Sequence, residues 1–351
     1  MVNAGFWKGR KVFLTGHTGF KGAWLALWLR DMGATVTGYA LNPPTDPSLF
    51  EAAGISQDCS ADVRADIGDS AALTAALNAS KPEIAFHLAA QPLVRESYRD
   101  PAETWRVNVQ GTLAFLEACR ACDSVRTIVV ITTDKVYENP ERGAAFREDD
   151  PLGGYDPYSS SKAACEILCA SWRRSFLDAP GSAGLATARA GNVIGGGDFA
   201  AERLVPDLVR ARVADTETRL RYPDAVRPWQ HVLEPLRGYL MLAERLHEDP
   251  RTYGRAFNFG PDKDDFQPVR TLADRMCGAL GGRWVQEPSP QPHEAGLLRL
   301  DSSLARELLD WSPRLPFDET VRRTADWYAA WRRGDAARAL TLSQIRDYAR
   351  L

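Results

Sequence analysis

Three glycines at a fixed spacing constrain the fold of this chain more than any other feature. Gly16, Gly19 and Gly22 form a G-x-x-G-x-x-G pattern between the short apolar run Lys11–Thr15 and an apolar segment with helical spacing, residues 23–34. The first glycine permits a tight turn, the second leaves room for a ligand against the backbone, and the third lets the helix pack on the strand. Because the backbone N–H groups at the start of such a helix attract anions, the pattern predicts a phosphate-binding turn.

Strand and helix patterns alternate along the first half of the chain. Apolar and β-branched runs at residues 34–41, 59–66, 83–90, 127–132 and 184–195 are separated by helical patterns, among them 70–80, 108–122 and 158–177. Such alternation indicates βαβ units and therefore a parallel sheet. With the glycine turn at its start, the chain is predicted to form an α/β fold, a Rossmann-type doubly wound parallel sheet that binds a dinucleotide.

The pattern changes after about Gly195, where glycines, prolines and aromatic residues interrupt the chain. We therefore expect a dinucleotide-binding domain over residues 1–190 and a smaller C-terminal α/β substrate lobe over residues 191–351. A segment near residues 233–260 is expected to return to the first domain.

The end of the second predicted strand bears on the identity of the cofactor. A dinucleotide site usually has an acidic residue there for the adenosine ribose, but residues 38–42 contain none. Residues 37–48 also contain no Arg or Lys that could bind a 2′-phosphate, which favours NAD over NADP. Asp66 and Ile67, after the third strand, are expected beside the adenine.

Tyr158 and Lys162 lie four residues apart, on one face of the predicted helix 158–177. A free tyrosine, with a pKa of about 10, is a poor base at neutral pH. A neighbouring ammonium group and a cationic nicotinamide would both favour the phenolate and lower that pKa. The pair therefore predicts an acid–base site for a dehydrogenation.

Polar residues end the buried strand 127–132. Thr133, Asp134 and Lys135 follow it directly, and the carboxyl ends of strands in an open α/β sheet face the ligand crevice. Successive strand residues point to opposite faces. Asp134 and Lys135 can therefore serve one substrate only if the chain has already left strand geometry.

Together these features resemble the extended short-chain dehydrogenase/reductase family over nearly the whole chain, and within it the nucleotide-sugar 4,6-dehydratases. The resemblance is carried by the glycine turn and by residues 87–90, 91–95, Asn108, 132–135, 153–158, Lys162, 190–192 and 227–231. In that branch a glutamate usually follows the strand-end Thr-Asp pair, whereas this chain has Lys135.

The resemblance implies NAD as cofactor and a nucleotide sugar as substrate, with CDP-glucose expected from the branch motifs. The implied cofactor-binding residues are Gly16, His17, Thr18, Gly19, Phe20, Gly22, Asp66, Ile67, Leu88, Ala89, Ala90, Asn108, Tyr158 and Lys162. The implied substrate-binding residues are Gln91, Arg95, Asn192, Arg227 and His293. Arg227 and Asn192 are expected at the diphosphate, because a guanidinium group can bind a phosphate through two hydrogen bonds.

The resemblance also implies a catalytic role for five residues. Tyr158 would take the proton of the sugar 4-hydroxyl while hydride leaves C4 for the nicotinamide, and Lys162 would lower the pKa of the tyrosine. Thr133 would hydrogen-bond near the 4-oxygen. Asp134 would protonate the departing 6-hydroxyl, and Lys135 would remove the C5 proton, before hydride returns to C6.

The replacement of glutamate by Lys135 leaves two alternatives open. A lysine at its ordinary pKa of about 10.4 is protonated at pH 7 and cannot accept a proton, so the site would have to lower that value by several units. Otherwise Lys135 steadies the enolate as a cation, and another group is the base.

Composition excludes several kinds of partner. The net charge is −3, with Lys and Arg scattered among Asp and Glu, so no nucleic-acid partner is expected. No apolar run approaches membrane-spanning length and no signal region is visible, so a cytoplasmic protein without a membrane partner is expected. The family resemblance implies a homodimer, formed through the helix that carries Tyr158.

The six cysteines are expected to be reduced thiols. Cys119 and Cys122 form a C-x-x-C pattern, but no second such pair exists and both lie in the predicted helix 108–122. They are interpreted as small structural residues, and no metal site is expected.

Three other functions share parts of these patterns. A nucleotide-sugar 4-epimerase would have the glycine turn, Tyr158 and Lys162, but would not need an acid–base pair after Thr133. A 4,6-dehydratase acting on another nucleotide-hexose would have the same residues throughout. A non-catalytic dinucleotide sensor predicts loss of Tyr158 or Lys162, and both are present.

The first prediction concerns the cofactor. NAD should bind more tightly than NADP, because no cation follows the second predicted strand. Titration of both dinucleotides against the cofactor-free protein measures this, and equal or tighter binding of NADP would contradict it.

Overall fold

A computed structural model gives the structure of the chain and describes residues 1–140, 143, 145–288 and 297–351. Its strands are β1 (Lys11–Thr15), β2 (Thr35–Ala40), β3 (Cys59–Arg64), β4 (Ile84–His87), β5 (Thr127–Ile131), β6 (Gly184–Ala190), β7 (Val193–Ile194), β8 (Glu217–Leu220), β9 (Val226–Pro228), β10 (Gln230–His231), β11 (Ala256–Phe259), β12 (Phe266–Pro268) and β13 (Arg283–Gln286).

The α-helices are α1 (Ala4–Trp7), α2 (Phe20–Asp31), α3 (Leu49–Ala52), α4 (Ser70–Ser80), α5 (Val94–Arg99), α6 (Pro101–Trp105), α7 (Gly111–Arg120), α8 (Pro157–Phe176), α9 (Leu204–Val213), α10 (Leu233–Glu248), α11 (Pro250–Tyr253), α12 (Val269–Leu280), α13 (Ser303–Leu309), α14 (Phe317–Arg332) and α15 (Ala337–Ala349). Short 3-10 turns cover Ile55–Asp58, Asp134–Val136 and Lys263–Asp265, and a π-helical turn covers Arg106–Gln110.

A 7-stranded sheet in the order β11-β6-β5-β4-β1-β2-β3 forms the centre of the molecule. Each neighbouring pair of strands is parallel. This confirms the predicted Rossmann-type fold. The strand order reverses between β1 and β4, so the loops that follow these two strands diverge and leave a crevice at the carboxyl edge of the sheet.

Both faces of the sheet are buried. Along β1, Val12 and Leu14 belong to the core on one face and Phe13 belongs to the core on the other. Helices α2 and α10 pack on the first face, and α4, α7 and α8 pack on the second. Because side chains alternate along a strand, this two-sided burial requires the near-continuous apolar strands of the sequence.

The region after β6 differs from the sequence interpretation. Residues 184–195 were expected to form one strand, but β6 ends at Ala190 and the chain continues into β7, which pairs with β10 in a separate two-stranded sheet. Gly191 allows this exit, since a Cβ there would lie 2.4 Å from Oδ2 of Asp134. Strand β11 pairs with β6 at the edge of the large sheet. The division of the chain at residue 190 stays a prediction.

Two predicted helices have slightly different bounds. The segment expected as one helix over 108–122 begins inside the π-helical turn and ends at Arg120. The helix expected over 158–177 is α8, which starts one residue earlier because Asp156 caps it and Pro157 occupies its first position.

All six cysteines are free thiols. Cys119 ends up buried on α7 and Cys122 is buried just beyond it. Burial raises the pKa of the Cys119 thiol, which keeps it protonated and unreactive. Among the described residues, no helix is both long enough and apolar enough to cross a membrane.

Candidate active site

The loops after β1 and β4 meet at the carboxyl edge of the sheet. Oγ1 of Thr15 accepts hydrogen bonds from the backbone N–H groups of Leu88 and Ala89, both at 3.1 Å. Gly16 has a φ of +74°, and a Cβ on it would lie 2.7 Å from the Ala89 nitrogen. Only glycine therefore permits this close approach of the two loops. The predicted residues Leu88 and Ala89 lie beside the glycine turn as a result.

The glycine turn has the shape that a dinucleotide diphosphate requires. A Cβ on Gly22 would lie 2.1 Å from the Gly16 carbonyl oxygen, so this glycine lets α2 start directly under the turn. Gly19 forms the N-cap of α2, where no side chain caps the helix, and a Cβ on it would meet only the Gly16 oxygen, at 3.4 Å. The first N–H groups of the helix are thus left for a ligand, and the turn fits the predicted cofactor.

The side chains of His17 and Thr18 do not face this space. His17 is buried, and its Nε2 lies 2.7 Å from Oδ1 of Asp62 on β3. Burial lowers the pKa of His17. Thr18 donates from Oγ1 to the Leu41 carbonyl oxygen at 3.0 Å. Both side chains tie the turn to the neighbouring strands, so only their backbones remain to hold a cofactor.

The residues expected at the adenine lie beyond the end of β3. Asp66 accepts two hydrogen bonds from the Arg106 guanidinium, both at 2.9 Å, and one from the Gly68 N–H at 2.7 Å. The hydrogen bonds from Arg106 lower the pKa of Asp66. Ile67 is buried and packs against Gly111 of α7, which would clash with it if it carried a Cβ.

A cation does lie near the end of β2, although residues 37–48 contain none. Arg64, at the end of β3, donates from Nη1 to the Leu41 carbonyl oxygen at 3.3 Å. Its Nε lies 2.8 Å from Oδ1 of Asp62. The sequence could not show this, because β3 was not known to pair with β2. The ion pair with Asp62 partly neutralises the guanidinium, which limits its value for a 2′-phosphate.

Tyr158 and Lys162 lie on the buried face of α8, toward the end of β5. Asp156 caps the helix by accepting from the Ser159 N–H at 2.9 Å, which fixes where the first turn begins. Nζ of Lys162 donates to the Ile131 carbonyl oxygen at 3.1 Å. Burial lowers the pKa of Lys162.

The pKa of Tyr158 differs from the sequence expectation. Burial raises it to about 12, and a hydrogen bond with Thr133 only partly opposes that rise. Nζ of Lys162 is turned to the Ile131 carbonyl oxygen. That Lys162 and a bound cationic nicotinamide lower the pKa of Tyr158 stays a prediction.

The catalytic candidates after β5 lie on a turn and not on a strand. β5 ends at Ile131, and Asp134–Val136 forms a 3-10 turn. Thr133 stabilises the turn, since its Oγ1 donates to Oδ1 of Asp134 at 3.1 Å and accepts from the Lys135 N–H at 3.4 Å. The chain has therefore left strand geometry where the sequence interpretation required it.

Asp134 is buried, and burial raises the pKa of its carboxyl group. Among the described residues, its Oδ2 has no hydrogen-bond partner. This atom occupies the space that a Cβ on Gly191 would fill. A buried carboxyl oxygen without a hydrogen-bond partner lowers the stability of a protein unless a substrate or solvent group donates a hydrogen bond to it. Asp134 thus has the environment of a general acid.

Several cations surround Asp134, and sequence reasoning missed two of them. Lys21, Lys135 and Arg227 all act on the Asp134 carboxyl group electrostatically. Burial and the neighbouring Arg203 lower the pKa of Lys21 to about 8. Lys21 could have been identified from the sequence, because it is the charged residue inside the glycine pattern. Arg203 lies in no sequence motif that points to the site.

Asn108 and Gln91, which were predicted to bind the cofactor and the substrate, form hydrogen bonds within the protein. The Asn108 side chain donates to Oγ of Ser161 at 2.9 Å and exchanges hydrogen bonds with the backbone of Gln91. The Gln91 side chain bonds to Leu93 and to Thr104. Both side chains form hydrogen bonds with protein groups, and the contacts with cofactor and substrate expected of them stay predictions.

Among the described residues, the others predicted to bind the substrate do not form one cluster with Gln91. Arg95 lies 3.3 Å from a carboxylate oxygen of Glu202. Arg227 is buried close enough to Asp134 to lower its pKa, and Asn192 follows Gly191, next to the same carboxyl group. His293 lies outside the described residues.

The chain was compared with known proteins. The model of the NAD dependent epimerase/dehydratase family matches residues 12–260. A CDP-glucose 4,6-dehydratase of Salmonella typhimurium is 44% identical over 99% of this chain and 98% of its own length. A dTDP-glucose 4,6-dehydratase of Streptomyces antibioticus is 30% identical over 84% of this chain and 80% of its own.

Solved structures share the fold. A UDP-glucose 4-epimerase of Stenotrophomonas maltophila, with bound NAD and formylated UDP-arabinopyranose, superposes with a TM-score of 0.79. It covers 93% of this chain and 99% of its own, at 22% sequence identity. At this identity the likeness concerns the fold.

Replacement of Tyr158 by phenylalanine tests its position in the site. Tyr158→Phe keeps the ring but removes the phenolic oxygen, so turnover should fall by about 10²–10⁴, as expected for a positioned acid–base group. Dinucleotide binding should survive. Tyr155→Phe is the matched control, because Tyr155 precedes the helix and is 79% exposed. Turnover of Tyr158→Phe at the parental rate would contradict the assignment.

Proposed function

Because the chain belongs to the NAD dependent epimerase/dehydratase family, we propose that it is a nucleotide-sugar 4,6-dehydratase that converts CDP-glucose to CDP-4-keto-6-deoxyglucose. The relative from Salmonella typhimurium, which matches almost the full length of both chains, supports this reaction and this nucleotide. The observation that carries the proposal is Asp134, a buried acid with an uncompleted oxygen beside Tyr158. An epimerase has no use for such an acid.

NAD is the cofactor of this reaction. When bound, it supplies the acceptor and donor of hydride, and its cationic nicotinamide favours the phenolate form of a nearby tyrosine. The N–H groups of the glycine turn would hold its diphosphate, and Lys162 would hold the ribose.

Tyr158 takes the proton of the sugar 4-hydroxyl. Thr133 lies close enough to the Tyr158 hydroxyl group to act on its pKa, so the 4-oxygen would be received between the two side chains. Burial excludes water from this contact and strengthens each hydrogen bond within it. A tyrosine with a raised pKa is a weak acid and, once ionised, a strong base, so the phenolate favoured by the cationic nicotinamide would accept the 4-hydroxyl proton readily.

Asp134 assists the loss of water. Oxidation at C4 makes the C5 proton acidic, and the 6-hydroxyl departs with a proton from Asp134. Because burial raises the pKa of Asp134, its acid form persists to higher pH than that of a free carboxyl group. Lys135 removes the C5 proton or steadies the resulting enolate. Over the full cycle C4 is oxidised, C6 is reduced and one water leaves, so no external oxidant is consumed.

The positive charge around Asp134 suits a nucleotide diphosphate. Arg227 and Asn192 are our choices for direct contacts with the diphosphate, because a guanidinium and an amide both donate hydrogen bonds to phosphate oxygens. Lys21 and Arg203 add positive charge at the same edge of the sheet. A dianionic group entering this cleft is attracted by all of them.

A substrate panel tests the reaction and the nucleotide together. Incubation with CDP-, dTDP-, GDP- and UDP-glucose should give a 4-keto-6-deoxy product, with the highest kcat/KM for CDP-glucose. Product is measured by its 4-keto absorbance and by mass spectrometry, which registers the loss of water. A 4-epimerised sugar without loss of water would instead establish an epimerase, and a higher kcat/KM for another nucleotide would correct the substrate.

Lys135→Met tests the elimination step. The variant should still oxidise C4, because Tyr158 and Lys162 are intact, but it should fail to eliminate water. Reduced cofactor should therefore build up on the enzyme, and exchange of the C5 proton with solvent deuterium should be lost if Lys135 is the base. Retained exchange with slow elimination would make it an electrostatic stabiliser. Formation of the 4-keto-6-deoxy product at near the parental rate would remove Lys135 from the mechanism.

A homodimer is the assembly that we propose. Helix α8 exposes Ile167 and Phe176, and the neighbouring α6 and α7 expose Trp105 and Leu113. These residues form an apolar surface on adjacent helices that a second copy of the chain would cover. Light scattering measures the mass in solution, and a monomer at micromolar concentration would contradict the assembly.

The product class suggests a biological setting. A 4-keto-6-deoxy nucleotide sugar is a precursor for deoxysugar biosynthesis, and we propose that the enzyme supplies it in the cytoplasm for a lipopolysaccharide O-antigen. Loss of the gene should remove a 6-deoxysugar from the surface polysaccharide, and an unchanged sugar composition would contradict this setting.

A further inference from the structure

A buried carboxylate lies beneath the catalytic residues, on the helix that carries two of them. Glu166 is 2% exposed and follows Lys162 by one turn of α8 and Tyr158 by two turns. Residues at this spacing share one face of a helix. Glu166 therefore faces the carboxyl edge of the sheet, as the catalytic pair does, but one turn deeper.

Glu166 accepts hydrogen bonds from two strands at once. Oε1 accepts from the Thr132 hydroxyl at 2.5 Å, and Oε2 accepts from the Thr187 hydroxyl at 2.6 Å. Oε2 also accepts from Nη2 of Arg189 at 2.9 Å. Burial by itself would raise the pKa of Glu166, but the Arg189 charge and these hydrogen bonds outweigh burial and lower it. The carboxylate is therefore ionised and its acceptor positions are occupied.

Arg189 extends the connection to the far side of the catalytic turn. Its Nη1 donates to the Tyr137 hydroxyl oxygen at 2.7 Å and to the Glu148 carbonyl oxygen at 3.1 Å. The Tyr137 hydroxyl in turn donates to Oδ1 of Asn258 on β11 at 2.7 Å. The guanidinium also lies over the Tyr137 ring, 5.0 Å from its centroid.

The two ends of the segment 132–137 are thus held by the two members of one ion pair. Thr132, immediately before Thr133, is held by Glu166, and Tyr137, immediately after the 3-10 turn, is held by Arg189. We propose that the buried Glu166–Arg189 pair is a positioning device that sets the acid–base segment 132–137 against helix α8. This proposal rests on the dehydratase function, because it assigns the pair to the coupling between the C4 oxidation and the elimination of water.

An ion pair is a poor choice for stability alone. The free energy required to remove two charges from water offsets much of the free energy gained from their attraction. Well-packed apolar residues of similar volume often stabilise a core equally well. Apolar residues cannot direct hydrogen bonds to two defined points of a turn, however. Besides the bond within the pair, the pair makes four directed hydrogen bonds, to Thr132, Thr187, Tyr137 and the Glu148 carbonyl oxygen, and such buried networks hold a unique geometry.

The relative position of α8 and the segment 132–137 matters, because two sets of residues must contact one sugar ring. Tyr158 and Lys162 act at C4 from α8, whereas Asp134 and Lys135 act at C5 and C6 from the segment 132–137. A displacement of about 1 Å between reacting groups can cost about 100-fold in rate. Glu166 belongs to the same helix as the first set and is bonded to the segment that carries the second, so it fixes the distance between them.

Two buried threonines provide a matched test. Thr132 and Thr187 donate to the same carboxylate at nearly the same distance, but only Thr132 is joined to the catalytic segment. Valine has almost the same shape as threonine and removes the hydroxyl group in each case. Thr132→Val and Thr187→Val should therefore lower the free energy of unfolding of the cofactor-free protein by similar amounts, measured by urea titration.

Their effects on the reaction should differ. With NAD and CDP-glucose, Thr132→Val should lower kcat by about 10- to 100-fold, whereas Thr187→Val should stay within about threefold of the parent. In a single turnover, Thr132→Val should also accumulate reduced cofactor, measured at its absorbance maximum, because C4 oxidation continues while elimination is slowed. A merely structural role would lower both steps by the same factor. Thr132→Ser, which restores the hydroxyl group, should recover most of the parental rate.

Other outcomes overturn the proposal. If the two valine variants lose activity equally, or if neither loses activity, the network does not position the segment. Glu166→Gln gives a second measurement if either valine variant fails to fold: it removes the charge, keeps one acceptor oxygen and replaces the other with an NH2 donor, and it should accumulate reduced cofactor in the same way. Failure of the proposed function itself is separate, because the parental protein would then form no 4-keto-6-deoxy product from CDP-glucose.

Discussion

Helices cover both faces of the parallel sheet, so polar side chains can meet a ligand only where the strands end. This burial determines where the cofactor loops and the acid–base turn lie: the glycine turn follows Thr15 at the end of β1, Leu88 and Ala89 follow β4, and Thr133 follows β5. Strands of a parallel sheet end at the same edge, so residues more than a hundred positions apart along the chain reach one crevice. The strand order reverses between β1 and β4, and the loops diverge there.

The electrostatics of that crevice depend on a buried acid, Asp134, that lies among several cations. Burial raises the pKa of Asp134 even though Lys135, Arg227 and Lys21 all favour its ionised form. The same enclosure lowers the pKa of Lys21 to about 8 and raises that of Tyr158 to about 12. Each shift favours the neutral form of the group. The enclosure thus brings Asp134 and Lys21 toward the range in which they can exchange protons with a substrate, whereas it moves the pKa of Tyr158 away from that range in the protein without cofactor.

The geometry of the site also depends on side chains that form hydrogen bonds with other protein groups. Asn108 connects the loop after β4 to α8 through Ser161, and Glu166 connects α8 to the ends of β5 and β6. His17 is held by Asp62, which fastens the glycine turn to β3. Each connection joins two elements that carry different parts of the site. The catalytic helix is therefore held to the sheet by hydrogen bonds at several levels along its buried face.

The sequence by itself determined the fold class, the glycine turn, the Tyr158–Lys162 pair and the strand-end acid, because each depends on residues that are close in the chain and on periodicities that local geometry imposes. Only the tertiary structure decided what depends on pairing between distant segments. Arg64 reaches the end of β2 because β3 pairs with that strand, Lys21 and Arg203 come close enough to interact electrostatically, and the Gln91 side chain bonds to Thr104. It likewise decided that burial of Tyr158 outweighs its charged neighbours, since desolvation depends on everything packed around a group and no local pattern records it.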